Sequence, residues 1–168
     1  GGPAFRQAIA DKIKRDNSLD YSANQVVVGI GAKEILFHVF GALLDPGDEV
    51  ILWAPCWVSY TEQIRAFGGV PVVIPFTGSV DEGLSRIKQT LSSKTKAVVI
   101  CSPNNPAGYA LNPSQLAALG KVLSEEKVWI ISDEIYEYMN FEQPHCSILN
   151  VCPQLQDRTV IVNGLSKS

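Results

Sequence analysis

The chain has 168 residues, 46% hydrophobic and 18% charged, which supplies one sizeable core and falls short of a two-domain enzyme. A net charge of −3 and a pI near 5.4 exclude nucleic acid or an anionic membrane surface as the main partner, because both demand a basic face. Apolar runs such as 70–76 carry prolines and are too short to span a bilayer, so no membrane association is expected.

The opening Gly1-Gly2-Pro3 has neither an initiator Met nor a signal segment, and both ends read as cut from something longer. Cys56, Cys101, Cys146 and Cys152 show no Cys-x-x-Cys spacing, and His38 and His145 are far apart in sequence. No metal site is expected, and the cysteines suit a reducing, cytoplasmic compartment.

In chain order, Pro3 opens a helix on which Phe5, Ile9 and Ile13 share a face, ended by Asp16-Asn17-Ser18. Val26-Val27-Val28 reads as a short strand running into Gly29-Ile30-Gly31-Ala32. A helix with Ile35, Leu36, Val39, Phe40, Leu43 and Leu44 on one face follows, and Asp45-Pro46-Gly47-Asp48 stops it. Strands are expected over 49–53 and 70–75, with a helix over 58–67 between them closed by Gly68-Gly69.

Leu84, Ile87 and Leu91 mark another helix. Residues 97–101 are almost uninterruptedly apolar, as in a strand buried on both faces of a parallel sheet. Asn112-Pro113-Ser114-Gln115 combines an N-cap, a proline at N1 and a capping-box glutamine ahead of a helix through Leu116, Leu119, Val122 and Leu123. Strands over 128–131 and 159–162 complete an α/β class fold: a doubly wound, mostly parallel sheet with helices on both faces.

In such a sheet ligands bind beyond the carboxyl ends of the strands. Gly29-Ile30-Gly31-Ala32-Lys33 could bring the backbone amides of a helix N-terminus to a phosphate, although Glu34 stands where a dinucleotide fingerprint has its third glycine. In Ala54-Pro55-Cys56-Trp57 the indole lies just past a strand, placed either to stack on a flat ring or to plug the core. Ser102-Pro103-Asn104-Asn105-Pro106-Ala107-Gly108 is a rigid loop that aims amides into the cleft, and turn chemistry alone gives no reason for both asparagines.

In Ser132-Asp133-Glu134-Ile135-Tyr136, an acid ending a buried strand needs a cation or hydrogen-bond donor to meet it, whereas Glu134 is expected to face solvent. Tyr136 reaches the same place if the chain turns helical there; the alternative is an N-cap aspartate with a packed tyrosine. Finally, Asn163-Gly164-Leu165-Ser166-Lys167-Ser168 puts a lysine on a small-residue turn after a strand, where an amine of lowered pKa could form a Schiff base.

The chain resembles the class I, aspartate aminotransferase-like family of fold type I pyridoxal-phosphate enzymes. The resemblance covers essentially all 168 residues and rests on six ordered motifs: Gly31-Ala32-Lys33, Pro46-Gly47-Asp48-Glu49-Val50, Pro55-Cys56-Trp57, the Ser102 loop, Ser132 through Tyr136, and Gly164-Leu165-Ser166-Lys167. It implies that Lys167 forms the Schiff base with pyridoxal 5′-phosphate and acts as catalytic base, that Asp133 pairs with the pyridine nitrogen, and that Tyr136 and Asn105 hydrogen-bond the phenolic oxygen. Trp57 is implied to stack on the ring, Gly31, Ala32 and Lys33 to bind the phosphate with Ser166 as a substitute contact, and Trp57 and Asn105 to touch substrate.

Two positions depart from the family pattern, since Ala107 stands for a usual threonine and Gly164 for a serine that some members use. The family's phosphate and carboxylate arginines and its partner-reaching tyrosine are not in this chain. Residues 1–168 are therefore expected to be an incomplete cofactor-binding large domain, without N-terminal arm or small domain and inactive alone. The implied activity is transfer of an amino group between an amino acid, aspartate being one candidate, and a 2-oxo acid in a homodimer. The alternatives are another pyridoxal-phosphate reaction, such as a lyase or synthase, a non-catalytic cofactor-binding regulator, or a nucleotide-binding α/β domain. The last leaves the Asn105 and Asp133 loops unexplained.

Overall fold

The computed structural model describes residues 1–167. Five short apolar segments, β1 (Glu49–Ala54), β2 (Val70–Pro75), β3 (Thr95–Cys101), β4 (Trp129–Asp133) and β5 (Thr159–Val162), form one sheet. All neighbouring pairs are parallel, in the order β2-β1-β3-β4-β5. The direction of winding reverses between β1 and β3, which is where doubly wound folds open a ligand crevice.

Side chains alternate across each strand, and helices cover both faces. Val50 and Leu52 point toward α2 (Ala32–Leu43) and α3 (Ser59–Ala66), packing with Leu36, Phe40, Tyr60 and Ile64. Ile51 and Trp53 point the other way, toward α4 (Val80–Thr90), α5 (Pro113–Ser124) and the short α6 (Ile148–Val151), among Leu84, Ile87, Leu116, Leu119 and Ile148. α5 begins with the capping box expected from Asn112 and Gln115. The N-terminal α1 (Pro3–Asn17) buries only Ala10 fully and is held largely by polar contacts.

The strand expected at Val26-Val27-Val28 does not form. Residues 23–25 make a 3₁₀ turn, the next residues are irregular, and Val27 is 77% exposed. β-branched residues favour a strand where a neighbour offers a ladder, and neither edge strand, β2 or β5, pairs with this segment. α6 and the 3₁₀ helix Pro153–Arg158, which seat Leu149 and Leu155 in the core, are additional to the expected elements.

Gly120 lies inside α5, where alanine would normally gain about 1 kcal/mol of helix propensity. Here a Cβ would sit 2.2 Å from Cys152 Sγ and 3.0 Å from its Cβ. Gly120→Ala should therefore destabilise the domain by about 1–3 kcal/mol through overpacking. A lower urea midpoint that is partly restored by Cys152→Ala is the expected result; an unchanged or higher midpoint contradicts it.

Candidate active site

A cleft of about 270 Å³ opens at the carboxyl edge of the sheet. Register explains why distant segments meet there: Cys101 pairs with Asp133, and Asp133 with Val162, so three strand ends lie in one row. The loops leaving that row bring Asn105, Tyr136 and Lys167 to the cleft, while Trp57 comes from the end of β1 and Gly31, Ala32 and Lys33 from the start of α2. Every residue to which the family resemblance gives a role, including Ser166, lines this one cleft.

At the α2 end, Gly31 is the N-cap with φ of 80°, a left-handed conformation that suits glycine, and no side chain caps the helix. A Cβ at Gly31 would meet nothing within 4 Å, so a ligand can approach the backbone closely. Glu34, in the first turn, folds back to accept the Ile30 N–H. Uncapped first-turn amides carry the positive end of the helix dipole and suit an anion. Lys33 adds a cation to that end, its Nζ 5.1 Å from the Trp57 ring centre.

At the opposite end Asp133 terminates β4, 3% exposed. Its Oδ2 accepts the Tyr60 hydroxyl at 2.5 Å and its Oδ1 accepts the Ile135 N–H at 3.3 Å. Burial pushes the carboxyl pKa up, more than these two hydrogen bonds bring it down, and the nearby Glu134 charge raises it further. Burial, assisted by the Asp133 charge, also drives the Tyr60 pKa far up, so Tyr60 stays a donor. Burial lifts the Cys101 thiol beside them to about 11, and it stays neutral as well. Among the described residues, Asp133 forms no ion pair.

Between these ends, Asn105 Nδ2 donates to the Tyr136 hydroxyl at 3.2 Å. The chain does turn helical after Tyr136, as the 3₁₀ turn Glu137–Met139. Lys167 and Ser166 lie exposed on the loop that leaves β5. The glycine at 164 has a local reason, because a Cβ there would come within 2.8 Å of Ile135 Cδ1.

Two expectations are corrected. Asn104 does not reach the cleft: it is 7% exposed, its Oδ1 accepts the Ala107 N–H at 3.1 Å, and its backbone bonds Tyr109 and Gly108, so it staples the loop that presents Asn105. Glu134 does not face solvent. It is 3% exposed and accepts from Ser132 Oγ at 2.8 Å and Ser147 Oγ at 2.6 Å, with His145 Nε2 at 2.9 Å, because residues 145–147 fold over it.

Tyr60 is a cleft-lining partner of Asp133 that sequence reasoning missed. The available signal was its place three residues after Trp57, across the turn into α3, where the Tyr60 N–H donates to the Trp57 carbonyl at 3.2 Å; their rings meet edge-on, 5.5 Å apart at 89°. Together the groups offer an anion site, an aromatic face, an uncompensated carboxylate, a pair of hydroxyl and amide donors, and an amine. That set matches a flat heteroaromatic ring carrying a phosphate, a protonated ring nitrogen, a phenolic oxygen and an aldehyde. Pyridoxal 5′-phosphate therefore fits the residues present.

The family model for aminotransferase class I and II matches residues 1–168. The chain is 42% identical to an aspartate aminotransferase of Bacillus sp. (strain YM-2), aligned over all of this chain and 44% of that protein. It is 44% identical to the aspartate aminotransferase of Geobacillus stearothermophilus, again over all of this chain and 44% of the relative. Among solved structures it is similar to the aspartate aminotransferase from Thermus thermophilus with maleate, with TM-score 0.91, 40% identity and 99% of this chain covering 44% of that one. The aspartate aminotransferase from Rhizobium meliloti aligns with TM-score 0.94 at 34% identity, over 99% of this chain and 43% of that one. The chain thus spans less than half the length of these relatives.

Asp133 gives the cofactor-free protein a pH signature. Its native pKa is raised above the ordinary 3.8, so the native state holds the proton more tightly than the unfolded chain. The stability this confers is full below 3.8 and is lost as pH rises toward the native pKa. Asp133→Asn has no charge to desolvate and can still accept the Tyr60 hydroxyl. In urea unfolding of the cofactor-free protein, the variant should gain on wild type progressively from about pH 4 upward. A variant less stable than wild type at pH 7 would overturn this account.

Proposed function

This chain belongs to the class I and II aminotransferases, and we propose that it serves a protein that moves an amino group between an amino acid and a 2-oxo acid, with aspartate as donor. The single observation that carries the reading is Asp133, a buried carboxylate without a cation, across one cleft from Lys167. Residues 1–168 are read as the cofactor-binding large domain of that protein, whose relatives are more than twice as long. A four-carbon dicarboxylate is supported as substrate class by the relatives' naming and by the maleate of the Thermus thermophilus structure.

Aminotransferases of this family depend on pyridoxal 5′-phosphate, which when bound supplies an electron sink for bonds at the substrate's α-carbon. The first-turn amides of α2, with Lys33 and Ser166, would hold its phosphate. Trp57 would lie against the ring and orient it. Asp133 would hold the proton on the ring nitrogen, and Tyr60 keeps the receiving oxygen in place. Tyr136 and Asn105, already joined, would donate to the phenolic oxygen. Lys167 Nζ would hold the cofactor covalently and, as a free amine, would be the base that takes the proton from the substrate's α-carbon.

This chemistry runs best with water excluded. Ile30, Val58 and Leu165, neighbours in sequence of cleft-lining residues, are 90%, 75% and 80% exposed. Such a bare apolar rim supports cover by a second subunit in a homodimer and by the remainder of the longer protein. No helix among the described residues is long and apolar enough to cross a membrane. A cytoplasmic location is part of the proposal, supported by the family and by four free cysteines.

In the full-length protein, borohydride reduction and peptide mapping should place the pyridoxyl group on Lys167; label on Lys33 would refute the assignment. With aspartate and 2-oxoglutarate in a coupled assay, Asp133→Asn should retain the cofactor yet lose about 10³-fold in turnover, the scale for removing a preorganised electrostatic group. Turnover near the wild-type rate would reduce Asp133 to a structural acid.

A further inference from the structure

α1 lies away from the cleft lining, yet it reaches the segment that directly follows Tyr136. Lys12 Nζ forms an ion pair with Glu137, whose side chain is only 5% exposed, and Asn17 Nδ2 donates to Glu137 Oε2 at 2.8 Å. Burial would raise the Glu137 pKa, but hydrogen bonds from Lys12 and Asn17, the Lys12 charge and the facing Asn163 side chain outweigh it and hold the group ionised below its ordinary range.

Glu137 follows Tyr136 directly and opens the 3₁₀ turn that fixes the tyrosine's direction, with its own N–H on the Glu134 carbonyl at 3.0 Å. Asn163 is the first residue after β5, and its Oδ1 accepts the Gly164 N–H at 2.7 Å, shaping the start of the loop that carries Lys167. Further polar ties fasten α1 to the same region: the Tyr138 hydroxyl donates to Asp16 Oδ2 at 2.9 Å, and Asn150 Nδ2 donates to the Asn17 carbonyl at 2.7 Å.

A buried ion pair adds little net stability compared with apolar side chains of similar size, because both charges lose their water. What it does supply is direction, since its hydrogen bonds are satisfied in one arrangement only. We propose that Glu137 is a positioning residue, clamped by Lys12 and Asn17 of α1, which fixes the turn that presents Tyr136 to the cleft. The proposal rests on the cofactor reading above and deepens it by giving α1 a part in the site.

The test uses the full-length protein and the double variant Lys12→Met/Glu137→Leu, which replaces the pair by apolar groups, with Glu137→Gln as the milder change should the double variant fold poorly. The double variant should unfold at the same temperature as wild type or higher. Hydrogen exchange of the cofactor-free protein should nevertheless speed up about tenfold over the turn Glu137–Met139. With pyridoxal 5′-phosphate added, affinity should fall about tenfold and the midpoint of the bound chromophore's pH titration should move by about one unit. Glu137→Gln should shift the same readouts in the same direction by less.

Unchanged exchange and an unchanged chromophore midpoint in a folded variant would overturn the proposal, leaving the pair a mere fastening. Wild-type protein that binds no pyridoxal 5′-phosphate would instead overturn the cofactor reading, and exchange in the cofactor-free protein would still decide the positioning role.

Discussion

Asp133 receives two hydrogen bonds, from the Tyr60 hydroxyl and the Ile135 amide, and both donors are neutral. Neutral donors lessen the desolvation penalty of a buried carboxylate but leave its charge in place. The rest of the domain can be understood as the scaffold that keeps this unfavourable group where it is. β4 is an interior strand, paired on both sides and apolar through Ile131, so the acid cannot swing out to water without disturbing its pairing with β3 and β5. Tyr60 is equally fixed, 1% exposed in the layer between α3 and the sheet and wedged edge-on against Trp57.

A parallel sheet suits this arrangement because all of its strands end on the same side. Segments as distant in sequence as Gly31 and Lys167 converge without any long excursion of the chain. The convergence also sorts charge. The uncapped first turn of α2 and Lys33 make one end of the cleft electropositive, and Asp133 puts an acid without a cation at the other. A bound molecule with an anionic end and a cationic ring is therefore oriented by the field before any particular contact is counted.

Strand and helix positions were legible because apolar periodicity and capping chemistry are local. The run 97–101 and the Asn112 capping box announce β3 and α5 directly. The strand ends singled out by unusual polar residues were also legible, since a polar group at the end of a buried strand has few structural explanations. What was hidden depended on contacts between distant segments. Val26-Val27-Val28 has strand propensity but no ladder to join, and Glu134 is covered only because residues 145–147 return over it. The two adjacent asparagines carry equivalent local signals. Only the folded loop shows that one serves its own backbone while the other meets Tyr136. Tyr60 looked like ordinary core, which it also is.

The segment from Asp133 to Glu137 holds three buried carboxylates, and each is treated differently. Glu137 is given a full cation, Lys12, along with the Asn17 amide. Glu134 is given two hydroxyls and an imidazole. Asp133 is given only a phenol and an amide, although it is the most central of the three in the sheet. A chain able to place Lys12 and His145 beside its neighbours could have neutralised Asp133 by the same means, and the cofactor-free domain would be more stable for it. Withholding a cation there leaves the cost of charging Asp133 unmet until a bound partner brings positive charge. In the proposed function, selectivity for a protonated ring comes from an interaction the protein lacks, and the hydrogen bonds around the other two acids confine that lack to this one position.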